Sequence, residues 1–203
     1  MKINPAEIDY TLSHELFISA IVPRPIAFIS SVNKDGVFNL APFSYYAAIA
    51  SKPALVGISI STKRDGEKKD TLANIEFTKD FVLNVVTQDL AQAMNQTATA
   101  YASDIDEFKE VGLTAVKADL VKPPMVAESP VNMECRVTKI LEFGQFPRKT
   151  SLIIGEVVRV HVKDEFWVKN EVQTAKLKAI GRLWGDSYCR INDIFQLKSP
   201  DAE

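Results

Sequence analysis

Lys69-Asp70-Thr71 brings together the groups that hold an anion at the start of a helix. Unpaired backbone N–H groups, the positive end of the helix dipole and the Thr71 hydroxyl can grip a phosphate, with Lys69 or Arg64 countering its charge. The same residues also suit a capped surface helix after a solvated charged loop. A second grouping lies upstream, where Asn39, Ala41, Pro42, Phe43 and Ser44 combine hydrogen-bonding side chains, a small residue, a rigid proline and an aromatic plane. Such a loop can hold a flat ligand. Taken singly, Phe43 equally suits a core aromatic and Arg24 a surface arginine on an edge strand.

Other chemistries lack their residues. The eight glycines include no GxG, so there is neither a dinucleotide fingerprint nor a phosphate loop ending in GK[ST], and no GxSxG elbow occurs. The two histidines, His14 and His161, have no acidic cluster near them at ligand spacing, and no protein-bound metal is expected. Cys135 and Cys189 are far apart and form no CxxC pair, so they are read as incidental thiols. A net charge of −2 and a pI near 5.8 give no field for nucleic acid or an anionic membrane, so any anion site must be local. The acidic, proline-containing N-terminus does not read as an export signal, and no apolar run is long enough to span a bilayer. A cytoplasmic protein is expected.

The elements that must position these groups are mostly strands. At 203 residues, with 25% charged and 46% hydrophobic residues, the chain suits one domain over 1–203. Ile26 to Val32 reads as a strand, and Asn33-Lys34-Asp35-Gly36 supplies the turn of a hairpin. After Pro53, residues 54–61 alternate, with Val56, Ile58 and Ile60 on an apolar face and Leu55, Gly57, Ser59 and Ser61 on a mostly small, polar one. A helix capped by Asp70 is expected from Thr71 to Lys79, then a strand from Phe81 to Val86 and a helix from Asp89 to about Ala102. Val131 to Leu141 and Ser151 to Val162 give the strongest later strand signals. Many strands without a βαβ rhythm favour an antiparallel barrel with inserted helices.

The RPIAFIS strand, the N-L-A-P-F-S segment, the strand bearing Ser59 and Ser61 and the K-D-T helix start together resemble the flavin reductase-like family. GEVVRVH, ending at His161, and IGRLWGDSY, Ile180 to Tyr188, look like its later signatures, so the resemblance covers nearly the whole chain. It implies a mainly β, α+β fold, the FMN-binding split β-barrel. By the same resemblance, Arg24, Pro25 and Ile26 lie beside the flavin, and Asn39, Ala41, Pro42, Phe43 and Ser44 meet its ring or ribityl chain. Ser59 and Ser61 run along it, and Lys69, Asp70 and Thr71 surround its phosphate. His161, Arg182 and Tyr188 are secondary candidates, with His161 positioning nicotinamide or a flavin edge, Arg182 meeting a phosphate and Tyr188 stacking. Each also suits ordinary packing.

The implied activity is an oxidoreductase that takes hydride from NADH or NADPH and passes electrons to free flavin, a partner monooxygenase or a ferric complex. The alternative is a non-enzymatic FMN electron carrier. A homodimer with flavin near the subunit boundary is implied as well.

Overall fold

The computed structural model describes residues 1–198. Seven strands form one antiparallel sheet: β1 (Ala27–Val32), β2 (Phe38–Phe43), β3 (Tyr46–Ser51), β4 (Ala54–Ser61), β5 (Asp80–Val85), β8 (Val131–Phe143) and β9 (Thr150–Val162). Their spatial order is β2-β1-β5-β8-β9-β4-β3. The sheet edges, β2 and β3, are therefore neighbours in the chain, joined through Ser44 and Tyr45, and the Ser59 N–H donates to Tyr45 O at 2.8 Å. Rolled in this way, the sheet turns one side of its strands inward. Ala27, Ile29, Phe43, Ile58, Ile60, Phe81, Leu83, Cys135 and Ile153 meet in one core. This is the expected split barrel.

The hairpin turn forms as its residues dictate. Asn33 Oδ1 accepts from the N–H groups of Asp35 and Val37, and Gly36 takes φ +83°, a conformation open to glycine. The N-L-A-P-F-S segment, expected as a loop, is instead mostly strand β2. Its Pro42 is accommodated because β2 is an edge strand, where a missing N–H breaks no interior ladder. Two further elements were not expected from the sequence, the exposed strand β3 and helix α1 (Tyr10–Ala20), which starts at an N-cap where Asp9 Oδ1 accepts from Leu12 N–H at 2.8 Å.

Helix α2 (Asp70–Thr78) buries Leu72 and Ile75 against the barrel core. It begins one residue earlier than expected, so Lys69 occupies the N-cap and Asp70 is helical, with no side chain capping the turn. The helix expected over 89–102 is only α3 (Ala91–Gln96). It ends in tight turns, Ala98 N–H to Asn95 O and Thr99 N–H to Gln96 O, with the Thr97 hydroxyl bonded to Met94 O. Helix α4 (Glu107–Glu110) and α3 cover the outer side of β1, where Phe28, Leu40, Met94, Phe108 and Ile180 form a second core. Being packed on both sides, β1 is buried along its whole length.

Short elements complete the described chain: β6 (Ala115–Val116) pairs with β7 (Met125–Val126), β10 (Trp167–Val168) with β11 (Glu171–Val172), then α5 (Thr174–Leu177), and β12 (Ile180–Arg182) pairs with β13 (Tyr188–Arg190). No described helix is long and apolar enough to cross a membrane.

Candidate functional site

Three cavities, of about 470, 350 and 370 Å³, meet at the end of β2, and Pro42 and Phe43 line all three. Each falls in the range of small-molecule sites, roughly 300 to 1,000 Å³. Phe43 is 8% exposed and also belongs to the barrel core, so both sequence readings of it hold at once. Ser44 and Arg182 connect the first cavity to the third, and Lys69 connects it to the second.

Most expected site residues converge on this junction. Ser59 and Ser61 line the first cavity, because Val56, Ile58 and Ile60 take the opposite face of β4 into the core. Ser61 Oγ lies 2.9 Å from Thr150 Oγ1 on β9. Asn39, Ala41, Asp70 and Thr71 line the second cavity, and Ile26 and Tyr188 the third. The structure does not bring Arg64, Pro25 or His161 to it. Arg64 is exposed on the charged loop, and Lys63 lines the cavity instead, 3.4 Å from Asp70. Pro25 faces outward because its neighbours Arg24 and Ile26 turn inward. His161 stands at the far end of β9 from Thr150, where its Nε2 lies 2.6 Å from Glu134 Oε1.

That contact corrects the expectation that no acidic cluster lies near His161. Strand pairing brings Glu134 to it, and the connection after Val116 brings Asp119, although neither is close in sequence. Glu134 is fully buried and accepts from the N–H groups of Asp119, Leu120 and Val121 at 3.1, 2.6 and 3.0 Å. Four donors thus clasp one carboxylate. Burial pushes the Glu134 carboxyl up, but His161 and the three amides outweigh it and hold the group below the ordinary glutamate value.

The anion end is built by a buried network. Asn39 Nδ2 donates to Glu107 Oε1 at 2.7 Å, which fixes the amide so that Asn39 Oδ1 accepts from Thr71 Oγ1 at 2.7 Å and Ser31 Oγ at 3.0 Å. Thr71 can grip a phosphate only by turning its hydroxyl away from Asn39. The amides of Asp70 and Thr71 precede the first helical bond, Ala73 N–H to Lys69 O, and so point out of the helix start. Lys69 keeps much of its surface exposed, with its Nζ 5.8 Å from the Phe43 ring centre, and partial desolvation followed by the nearby Lys63 lowers its pKa. Glu107, missed in the sequence, is 7% exposed on the same cavity. Burial raises its pKa, with the Leu40 and Asn39 donors pulling the other way.

Arg24 is neither a surface residue nor a simple ligand contact. It is 5% exposed, and its guanidinium donates to Ile18 O, Ile21 O, Leu183 O and Ser44 Oγ at 2.5, 2.9, 2.9 and 3.3 Å. It satisfies carbonyls at the end of α1 and ties them to the β2–β3 corner and the loop after β12. Backbone bonds between Arg24 and Arg182, 2.9 and 2.8 Å, complete the tie. Arg182 in turn lies 4.5 Å from the Tyr188 ring centre and bonds to the Tyr188 hydroxyl and Gly185 O.

Comparison with known proteins agrees with this architecture. Residues 18–175 match the flavin reductase like domain. A protein of Halalkalibacterium halodurans is 34% identical over 202 residues, covering 98% of this chain and 97% of its own length. Nitrilotriacetate monooxygenase component B from Bacillus cereus superposes with a TM-score of 0.93 at 33% identity, over 97% of this chain and 98% of that one. The Pseudomonas fluorescens 2-nitrobenzoate 2-nitroreductase NbaA gives 0.90 at 28% identity, over 99% and 97%. The chain therefore belongs to the flavin reductase-like family.

Proposed function

We propose that this protein is an FMN-binding oxidoreductase that accepts hydride from NADH or NADPH and delivers electrons to free flavin, a partner monooxygenase or a ferric complex. The observation that carries the reading is the meeting of three cavities at Pro42 and Phe43, with the open start of α2 on one side and Arg182 on the other. The donor set fits FMN. Ala41, Pro42, Phe43 and Ser44 offer an apolar plane beside polar groups for the ring and ribityl chain, and Ser59 and Ser61 add hydroxyls along the wall. Lys69, the Thr71 hydroxyl and the first α2 amides suit the phosphate.

When bound, the flavin supplies the hydride and electron chemistry. The chain's own task is to bind, orient and enclose. Asn39 and Glu107 fix the place of the Thr71 side chain, Arg24 fixes the corner that carries Ser44, and Lys69 bridges the anion end and the ring wall. A homodimer is part of the proposal, supported by apolar residues left exposed along the barrel, including Ile49 on β3, Val160 on β9 and Trp167 on β10.

Purified protein should carry, or take up, FMN with a visible flavin band, and anaerobic NADH or NADPH should bleach that band rapidly. Flavin that neither nicotinamide reduces would mark an electron carrier instead. Failure to bind FMN at all would overturn both readings.

A further inference from the structure

The end of β9 that carries His161 closes a further cavity, of about 270 Å³, where the short β6–β7 ribbon meets β8 and β9. Thr150, on the wall of the first cavity, lies roughly 35 Å away along the same strand. This cavity shares no residue with the three at Phe43. Its walls are mostly apolar, formed by Val116, Met125, Ala127, Pro130 and Val162. Ser129, Asn132, His161 and Lys163 join them, and no carboxylate does. The Ser129 hydroxyl is already placed, 2.9 Å from both Val85 O and Val131 O.

Asn132 is the residue that points to a ligand. It is 7% exposed, yet its Oδ1 has no donor among the described residues, and its Nδ2 reaches only Ser129 O, at 3.5 Å. A buried acceptor left this way costs about 1 to 3 kcal/mol. Because the terminal amide torsion is soft and the Nδ2 contact long, Oδ1 can turn to a donor in the cavity at little cost. Asn132 pairs with His161 across β8 and β9, so the two side chains share a face. Glu134, outside the cavity lining, already accepts three amides and is held in its charged form, so His161 Nε2 carries the proton of their contact. Nδ1 is the ring's remaining polar atom. Lys163 supplies the charge, because its Nζ has only Glu128 O, at 3.4 Å, and no carboxylate partner among the described residues. The acids near His161 do not compete for that charge: Glu134 is filled by its donors, and Asp119 pairs with Arg159 at 2.5 Å.

We propose that this cavity binds a small apolar acid carrying one carboxylate and one nearby N–H or O–H donor. The carboxylate meets Lys163, the donor meets Asn132 Oδ1, and the hydrocarbon part lies against the apolar walls. Apolar amino acids and their 2-hydroxy analogues share this chemistry. The volume equals that of about nine waters, which suits a molecule the size of leucine. The site stands whether or not a flavin is held at Phe43.

The test is calorimetric titration of the full chain as purified, with L-leucine and, separately, 2-hydroxyisocaproate. At least one should bind saturably, and the tighter of the two tells an amino acid from a hydroxy acid. Isocaproate, which lacks the donor, and leucinamide, which lacks the carboxylate, should each bind about tenfold more weakly, the scale of one lost polar contact. Asn132→Ala should remove the advantage over isocaproate and Lys163→Met the advantage over leucinamide, with FMN affinity unchanged in both. The analogues need no variant, so the parent chain alone can overturn the proposal. It fails if neither acid binds saturably, if the analogues bind as tightly as the acids, or if both folded variants bind the acids as the parent does.

Discussion

Glu134 and Glu107 are both buried glutamates, yet their surroundings drive them in opposite directions. Glu134 stands away from the cavities, its two oxygens engaged by three backbone amides and His161. Glu107 lines a cavity and is met by its own backbone N–H, the Asn39 amide and the Leu40 N–H, the last two at 2.7 and 3.0 Å, with Asp70 adding a like charge. The first carboxylate is held below its ordinary pKa and the second above it. Burial alone does not decide a carboxylate's state; the number and kind of donors do. A fuller donor set turns the charge into a structural clasp, while a smaller one beside a like charge leaves electrostatic tension on the wall of a cavity.

The comparison breaks most directly at the clasp. Glu134→Ala strands three backbone N–H groups and should cost about 3 to 5 kcal/mol in urea unfolding, with FMN affinity of the folded fraction unchanged. A loss near zero would end the distinction.

The pH response should sharpen it, because the two signs differ. Glu134, with its folded pKa depressed, contributes stability that is present above the unfolded glutamate value and lost as pH falls through the folded one. Glu107, with its folded pKa raised, carries a penalty absent below the unfolded value and complete above the folded one, so its contribution falls as pH rises. Urea midpoints between about pH 2 and 7, reaching well below the ordinary glutamate value, should therefore show less acid-side decline in Glu134→Gln and less decline toward neutrality in Glu107→Gln. Parallel curves for parent and variants would contradict both assignments.

A smaller effect belongs to the network that Glu107 orients. Thr71→Val removes one hydrogen bond, while Asn39 Oδ1 keeps the Ser31 hydroxyl, so stability should fall by about 1 kcal/mol. FMN should bind more weakly while riboflavin, which has no phosphate, should bind as before. Equal losses for the two would place the phosphate elsewhere. Smallest of all, Lys68→Met breaks an exposed pair with Glu76, at 2.6 Å, and should shift stability by less than about 1 kcal/mol. A larger shift would show that surface carboxylates matter here as much as buried ones.

Strand alternation made most of the barrel legible in the sequence, since each inward row is a run of apolar residues two apart. The strand β3 was hidden because Tyr46–Ser51 is rich in alanine, exposed after Tyr46 and without alternation. Helix α1 was hidden for a related reason: its stripe mixes Ser13 and His14 with aromatics and faces a cavity, so it lacks the apolar contrast of a core-facing helix. Pro42 made an edge strand look like a loop. The two buried glutamates gave no sequence signal. Glu134 and Cys135 are consecutive and both fully buried, Cys135 in the barrel core and Glu134 under the segment of Asp119 to Val121, with a register shift between them in the β8–β9 pairing. Of the candidate site, the N-L-A-P-F-S and K-D-T groups were read from residue type and spacing. Their connection through Asn39 was not, because it depends on Glu107 arriving from another helix.

The way the sheet rolls also bears on how the molecule assembles. Its edges meet at Ser44 and Tyr45, but β5 must pair with β8 and β4 with β9, joining segments some fifty and ninety residues apart in register pairs such as Leu83 with Met133 and Ile60 with Ser151. Such distant pairings form slowly, because loop-closure entropy is spent before their contacts are gained. The first cavity draws walls from β2, β4 and β9, so it cannot exist until the β4–β9 pairing is made. A flavin offered to a refolding chain would therefore be captured only at the end of barrel closure, and its capture rate would time that step.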